Sequence, residues 1–143
     1  MGLVLLIAVS STHALLTTNR IAARNRVMTA ARAVVQRNID AALSVAWTTP
    51  TPPDVEPTIL QITPAAGSAY DDDSGGTNNM VNLITLKNTS GDLIILQGTL
   101  TRVVTAVTNS TGADIRRITF RLTYKYLNTD YTVEMSTFRT IDD

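Results

Sequence analysis

The feature that most constrains this chain is a long run of helix-forming residues near its N-terminus, free of glycine and proline from Leu3 to Thr49. Alanine, leucine and arginine, which have high helix propensities, dominate this run. Beyond residue 20, apolar side chains recur on one side of a helical wheel drawn at about 100° per residue. Four prolines between residues 50 and 57 then remove backbone donors and disfavour helix before them. The pattern predicts one helix from residue 2 to about residue 47.

The first part of this helix, residues 1–19, carries no charged side chain when His13 is neutral. As a helix it would span about 28 Å, close to the hydrocarbon thickness of a bilayer. A cleaved secretory signal is the competing interpretation, but no Lys or Arg precedes the apolar block and the helical pattern continues past a cleavage position at Ala14. We therefore expect this part to insert into a membrane through Leu3, Val4, Leu5, Leu6, Ile7, Val9, Leu15 and Leu16.

Residues 20–49 form the amphipathic part of the predicted helix. One arc holds the apolar side chains that we expect to pack on a sheet, namely Ile21, Met28, Val35, Ile39 and Leu43. A shallower stripe beside it is expected to make lateral contacts with other molecules through Val27, Val34 and Val45. Trp47, at the predicted end of the helix, should pack in the core where helix and sheet meet.

Residues 50–79 are predicted to form a proline-rich connector with a short strand over residues 58–63 and a loop over residues 64–79. The loop contains Asp71, Asp72 and Asp73, whose carboxylates are the hard oxygen ligands that Ca²⁺ prefers. Their spacing lacks both the pattern of a calcium loop and its terminal bidentate Glu. A solvated acidic loop is therefore the preferred interpretation, and a calcium site is the weaker one.

Residues 80–143 show the alternation of apolar and polar side chains that indicates β-strands. Strands are predicted over residues 80–87 and 93–107, and a closing hairpin over residues 118–126 and 131–136. Each strand of the hairpin has one apolar face and one polar face, as in an antiparallel sheet with one solvated side. We expect an α+β fold in which the long helix covers the apolar face of an antiparallel meander of four to five strands.

The composition excludes several kinds of site. Twelve basic and twelve acidic residues give a net charge of zero, which does not favour nucleic-acid binding. The chain has no cysteine, so disulfides, thiolate metal sites and cysteine nucleophiles are excluded. His13 is the sole histidine, and no acid or nucleophile near it in the sequence completes a catalytic group. We predict no catalytic residue, no cofactor and no enzymatic activity.

One strand of the closing hairpin carries a basic edge. Nucleic acids are bound by exposed aromatic side chains interleaved with cations, whereas the aromatics of this strand alternate onto the other face. We therefore expect the basic side chains to pair across strands, for instance with Glu134. The residues of this predicted edge are Arg116, Arg117, Arg121 and Lys125.

The whole layout resembles the type IV pilin-like family, which includes the pseudopilins of type II secretion systems. The resemblance rests on the apolar run Gly-Leu-Val-Leu-Leu-Ile-Ala-Val at residues 2–9, on the Ala/Arg-rich helix from Ile21 onward, and on the closing hairpin, which is similar to the ends of minor pilins and minor pseudopilins. The family signature is a basic leader ending in Gly, then an aromatic residue, Thr, Leu and a Glu. That signature is not in this sequence, which we expect to begin inside the membrane helix and to be truncated at its N-terminus.

The resemblance implies a structural subunit of a type IV pilus or a type II secretion pseudopilus. Such a subunit is held in the bacterial inner membrane with its head in the periplasm, and then assembles into a filament. Its partners would be other pilin or pseudopilin subunits and the inner-membrane assembly machinery. The alternative is a signal-anchored or secreted periplasmic β-rich binding module unrelated to filaments.

Overall fold

A computed structural model describes residues 2–47, 58–62, 80–87, 90–107 and 115–141, with side chains from residue 10 onward in the first range and from residue 59 in the second. The chain forms one helix, α1 (Gly2–Ser44), a short 3-10 helix (Thr58–Leu60), and the strands β1 (Met80–Lys87), β2 (Leu93–Val107), β3 (Ile115–Tyr126) and β4 (Thr129–Thr140). The strands form a single antiparallel sheet in chain order. The expectation of a helix on an antiparallel sheet is confirmed.

The apolar face of the sheet is buried against α1, as the alternating pattern predicts. In the central strand β3, every second side chain from Ile118 to Tyr124 is buried, whereas Arg117, Arg121 and Lys125 between them are exposed. Leu100 and Val104 of β2 continue the same face. The core therefore lies in one layer between helix and sheet.

The face of α1 that packs on the sheet differs from the predicted face. Val35 and Ile39 are buried and Met28 is half-buried, but Ile21 and Leu43 are 55% and 42% exposed. The prediction was wrong for these two residues. The buried residues of α1 are Val27, Ala31, Val35, Asn38, Ile39 and Ala42.

This buried stripe is rotated by roughly 60° from the predicted one, toward the shallower stripe. Ala31 and Ala42 lie near its centre and are fully buried, so the small side chains let the helix axis approach the sheet closely. Val27 is 3% exposed, which makes its predicted role in lateral contacts wrong. Val34 and Val45 are half-buried and pack against the core.

The C-terminus of α1 is closed by a side chain from β4. The guanidinium of Arg139 donates hydrogen bonds to the carbonyl oxygens of Leu43 and Val45, the latter at 2.8 Å. The last carbonyls of a helix have no partner within the helix and carry the negative end of its dipole. No basic residue lies in the last turn of α1 itself, so the capping charge comes from a distant strand.

The helix and β4 run side by side. Arg24 of α1 lies over the ring of Tyr131 at 5.1 Å, near the start of β4, and Leu43 meets Arg139 near its end. From residue 24 to residue 43 a helix rises about 28 Å, and from residue 131 to residue 139 a strand covers about 27 Å. The two contacts therefore fix the axial position of the helix on the sheet.

The short strand predicted over residues 58–63 is wrong for the residues described. Residues 58–60 form a single 3-10 turn that buries Leu60 completely. The carbonyl oxygen of Leu60 accepts a hydrogen bond from Nη1 of Arg116 at 2.8 Å, which satisfies it without a neighbouring strand. A short apolar run between prolines is compatible with either a strand or a turn. Here the burial of Leu60 in the core favours the turn. The remainder of the predicted connector and loop lies outside the described residues.

Candidate functional site: the free half of the helix and the apolar hairpin

The first feature is the part of α1 that precedes its first buried residue, Val27, here called the free half (residues 10–26). Every side chain in it is exposed, including Leu15 at 62% and Leu16 at 60%. The hydroxyls of Thr17 and Thr18 donate to the carbonyl oxygens of His13 and Ala14, both at 2.9 Å. Because these hydroxyls are satisfied within the helix, they depend little on water. The free half thus exposes Leu15 and Leu16 beside two hydroxyls that are already bonded within the helix, and its arginines follow from residue 20 onward.

The predicted membrane residues divide between described and undescribed side chains. Leu15 and Leu16 are exposed on the free half, whereas the side chains of Leu3, Val4, Leu5, Leu6, Ile7 and Val9 lie outside those described. Among the residues that the structure describes, no helix combines the length and the hydropathy needed to span a membrane. Membrane insertion therefore stays a prediction.

The second feature is the end of the β1–β2 hairpin, here called the apolar hairpin (residues 84–87 and 93–96). Leu93, Ile94 and Ile95 are between 44% and 59% exposed, and Leu86, paired with Ile94, is 46% exposed. Since successive side chains of a strand point to opposite faces, this hairpin exposes apolar side chains on both sides. The pairing of β2 with β3 begins at Gly98, so the hairpin extends past the end of β3.

An apolar groove separates the free half from the apolar hairpin. It has a volume of about 470 Å³, and Tyr126 closes it at the end of β3. Arg26 contributes the one charged side chain to its lining. The other residues that line the groove are Ala22, Ala23, Val27, Ile84, Leu86, Ile94, Ile95 and Leu96.

This hairpin was not among the sites predicted from the sequence. A signal was nevertheless present, because the four consecutive apolar residues from Leu93 to Leu96 break the alternation expected of a strand with one solvated face. Consecutive apolar residues in a strand indicate that both faces are covered or meet an apolar partner.

Gly98 marks the point where the hairpin leaves the three-stranded part of the sheet. A Cβ atom at this position would come within 3.0 Å of both Cδ1 of Leu122 and the carbonyl oxygen of Thr123. Contacts this short are not tolerated against backbone, so glycine permits β2 and β3 to pair closely here. One residue further along, β1 has an irregular register between Asn82 and Ile84, which is typical of a bulge.

Two tyrosines lie where the free half meets the sheet. The rings of Tyr124 and Tyr131 stack with centroids 5.5 Å apart and planes at 18°, and Arg24 lies over Tyr131. Burial raises the pKa of Tyr124, and neighbouring Tyr131 raises that pKa further, against the opposing charges of Arg24 and Arg32. Tyr124 therefore stays neutral to a higher pH than an exposed tyrosine.

Two arginines on the core face lie at the opposite end of the sheet, where α1 ends. Cζ of Arg116 lies 4.5 Å from the centre of the ring of Trp47, and Arg139 donates to the carbonyls of Leu43 and Val45. Burial lowers the pKa of Arg116. Trp47 is 1% exposed, which confirms its predicted place in the core. Arg116 and Arg139 stabilise the junction between helix and sheet, and we assign them a structural role.

The predicted basic edge is confirmed in part. Nε of Arg121 lies 2.8 Å from Oε2 of Glu134, so the predicted cross-strand pair forms on the exposed face. Arg116 was wrongly grouped with this edge. Arg116 pairs in register with Arg139 and lies on the same face of the sheet as Ile118 and Phe120. Its neighbour Arg117 lies on the opposite, exposed face.

The remaining predicted sites receive no structural support. Asp71, Asp72 and Asp73 lie outside the described residues. Among the residues that are described, no three His, Asp or Glu side chains come close enough to hold a metal ion. His13 is exposed on the free half.

Comparisons of the chain with protein-family models, with curated proteins and with solved structures find no match.

Proposed function

We propose that this chain is a non-enzymatic structural subunit of a pilin-like filament, either a type IV pilus or a type II secretion pseudopilus. In this proposal α1 anchors the subunit in the bacterial inner membrane before assembly, and the sheet forms a periplasmic head. The observation that carries the proposal is the division of one continuous helix. Residues 27–44 are held on the sheet by buried side chains, whereas residues 10–26 are exposed and present Leu15, Leu16 and Ile21 to the surroundings among polar side chains.

The free half then serves two environments in turn. In the membrane its leucines contact lipid, and in the filament they contact the helices of neighbouring subunits. Burying a leucine side chain contributes about 1.5–3 kcal/mol, so Leu15, Leu16 and Ile21 can stabilise either state without a change of fold. The partners in this proposal are other pilin or pseudopilin subunits and the inner-membrane assembly machinery.

The test is to place charge on the free half. The double variant Leu15→Asp/Leu16→Asp should keep the stability of the head, because both positions are exposed, but should abolish incorporation into filaments. Thr132→Asp, an exposed position on the outer face of β4, is the matched control and should assemble normally. Filament incorporation is measured by crosslinking and by shearing of cells. Normal assembly of the double variant would refute the proposal.

Val34 is less suitable for this test, although the sequence analysis places it in a lateral stripe. It packs partly against the core, so a charge there would also destabilise the head. Leu15 and Leu16 separate assembly from folding because they lie far from the buried stripe of α1.

The second candidate function is a signal-anchored or secreted periplasmic β-rich binding module. The apolar groove beside Tyr126 is the observation that favours it. In such a protein residues 1–19 would serve as a tether, and replacing them with an unrelated membrane helix would preserve function. A filament subunit would lose assembly after that replacement, because its neighbours contact those side chains.

A further inference from the structure

We propose that the apolar hairpin is a second membrane contact, which rests in the interfacial layer of an anionic bilayer when the part of α1 before Arg20 is inserted. This inference rests on the proposed membrane anchoring and names the lipid surface that the head would meet. It concerns the head, whereas the proposed function concerns the helix.

The geometry brings the hairpin toward the membrane side of the molecule. The pairing of β2 with β3 begins at Gly98 opposite Tyr124, while β1 and β2 continue to pair as far as Lys87 opposite Leu93. At about 3.3 Å per residue, the hairpin reaches roughly 10 Å beyond Tyr126. The groove places it beside Ala22 and Ala23, so its tip is roughly level with the start of the charged part of α1.

The hairpin exposes apolar side chains on both faces. Leu86 and Ile94 line the groove on the helix side, and Leu93 lies on the opposite face, where β3 carries polar side chains. An exposed cluster of four large apolar side chains at one end of a small head indicates a surface that meets an apolar partner.

The charges around the hairpin favour an anionic surface. Among the residues that the structure describes, five cations lie at this end of the molecule against two acids, Asp92 and Asp130. Apolar side chains bordered by Lys and Arg are the combination that binds the interface of membranes containing anionic lipid. A second copy of the chain would bring the same excess of positive charge to this surface, and the two copies would repel each other. The charges therefore favour contact with anionic lipid over contact with a second copy. The cations are Arg20, Arg24, Arg26, Lys87 and Lys125.

The absence of cysteine from the chain makes a site-specific test possible. Single variants of the full chain, Leu93→Cys in the hairpin and Leu15→Cys in the free half, are labelled with a small environment-sensitive fluorophore. Thr140→Cys, exposed at the far end of β4, is the matched control. Each is reconstituted in vesicles of phosphatidylglycerol and phosphatidylcholine that carry brominated acyl chains as a quencher.

We expect at least twofold quenching of the labels at positions 15 and 93, and none at position 140. Quenching at position 93 should fall by about half in vesicles of phosphatidylcholine alone, since the surface charge of the bilayer is then lost. Adding Arg26→Glu and Lys87→Glu to the Leu93→Cys variant should produce a similar fall. The same pair of changes should leave quenching at position 15 unchanged.

The outcomes separate this inference from the proposed function. Quenching at position 15 without quenching at position 93 would overturn the hairpin contact and leave the anchoring intact. No quenching at either position would overturn both. Crosslinking between Cys side chains at position 93 of two copies, without quenching by lipid, would identify a second copy as the occupant and would also overturn the inference.

Discussion

The two halves of α1 are similar in sequence character and opposite in surroundings. Both lack glycine and proline after residue 2, and both are rich in alanine and arginine. In residues 27–44, six side chains are buried against the sheet, whereas in residues 10–26 every side chain is exposed. Local propensity therefore accounts for the helix in both halves, but only the second half derives stability from tertiary packing.

This difference has a physical consequence for the free half. An isolated helix of such a length is marginal in water, because nucleation is unfavourable and each added hydrogen bond contributes little. The packed half acts as a preformed template from which the helix extends. An apolar environment, whether lipid or neighbouring helices, would strengthen the backbone hydrogen bonds of the free half, since water no longer competes for them.

The largest expected difference between the halves comes from charge substitutions. Val35→Asp places a carboxylate in the fully buried stripe and should lower the free energy of unfolding by about 3–5 kcal/mol. Leu15→Asp in the free half should change it by less than about 0.5 kcal/mol. Urea unfolding followed by circular dichroism measures both. Equal losses would show that the free half is also held by the head.

A smaller effect is expected at the capped end of the packed half. Arg139→Met keeps most of the side-chain volume but removes the donors to the carbonyls of Leu43 and Val45, so stability should fall by about 1.5–3 kcal/mol. Arg121→Met is the control, because the pair of Arg121 with Glu134 is half exposed and should contribute less than about 1 kcal/mol. An equal effect of both substitutions, measured by urea unfolding, would contradict the assigned cap.

The boundary between the halves should respond to alkaline pH through Tyr124. Its pKa is raised in the folded protein, so above its ordinary value the unfolded state loses the proton first. The contribution of Tyr124 to the free energy of unfolding is complete below about pH 10, and it is lost as the pH rises through the pKa of Tyr124 in the folded protein. Tyr124→Phe should reduce this alkaline loss, measured as urea midpoints between about pH 8 and pH 11. The urea midpoints of both proteins near neutral pH correct for any change in packing caused by the substitution. If stability fell as steeply with alkaline pH in Tyr124→Phe as in the wild type, Tyr124 would be excluded as the source of the alkaline loss.

The smallest effect is expected when residues 1–19 are deleted. The described side chains among them are exposed, so the stability of the head should change by less than about 1 kcal/mol. Thermal unfolding of the shortened chain beside the full chain, both in mild detergent, measures this change. A large loss would mean that the first residues contribute to the head, and the contrast between the two halves would then be overstated.

The regular elements could be predicted from the sequence because their local signals agree with one another. The bounds of β1 and β2 match the prediction residue for residue, since turn-forming residues border each apolar run. The turn between β3 and β4 was also predicted. Its residues Leu127 and Asn128 have φ angles of 48° and 62°, in the left-handed region that suits a two-residue hairpin.

The errors arose where tertiary contacts choose between local possibilities. The helical wheel placed Ile21 in the packed stripe, but the buried stripe of α1 begins only at Val27 and is rotated away from Ile21. Arg116 and Arg139 look like solvent-facing residues in a strand, and their position on the core face depends on carbonyl groups of Leu60 and Leu43 that are distant in sequence. A single sequence contains no local signal for such pairings.

The side-by-side arrangement of α1 and β4 determines how the molecule would transmit force. Contacts near both ends, Arg24 with Tyr131 and Arg139 with Leu43, hold the helix parallel to the strand. A pull along the axis of the free half therefore loads this contact in shear, so that all the bonds between helix and strand resist together. A pull across the axis would instead open them one after another, as in unzipping. The fold is thus strongest along the direction in which extraction of the helix from a bilayer would act.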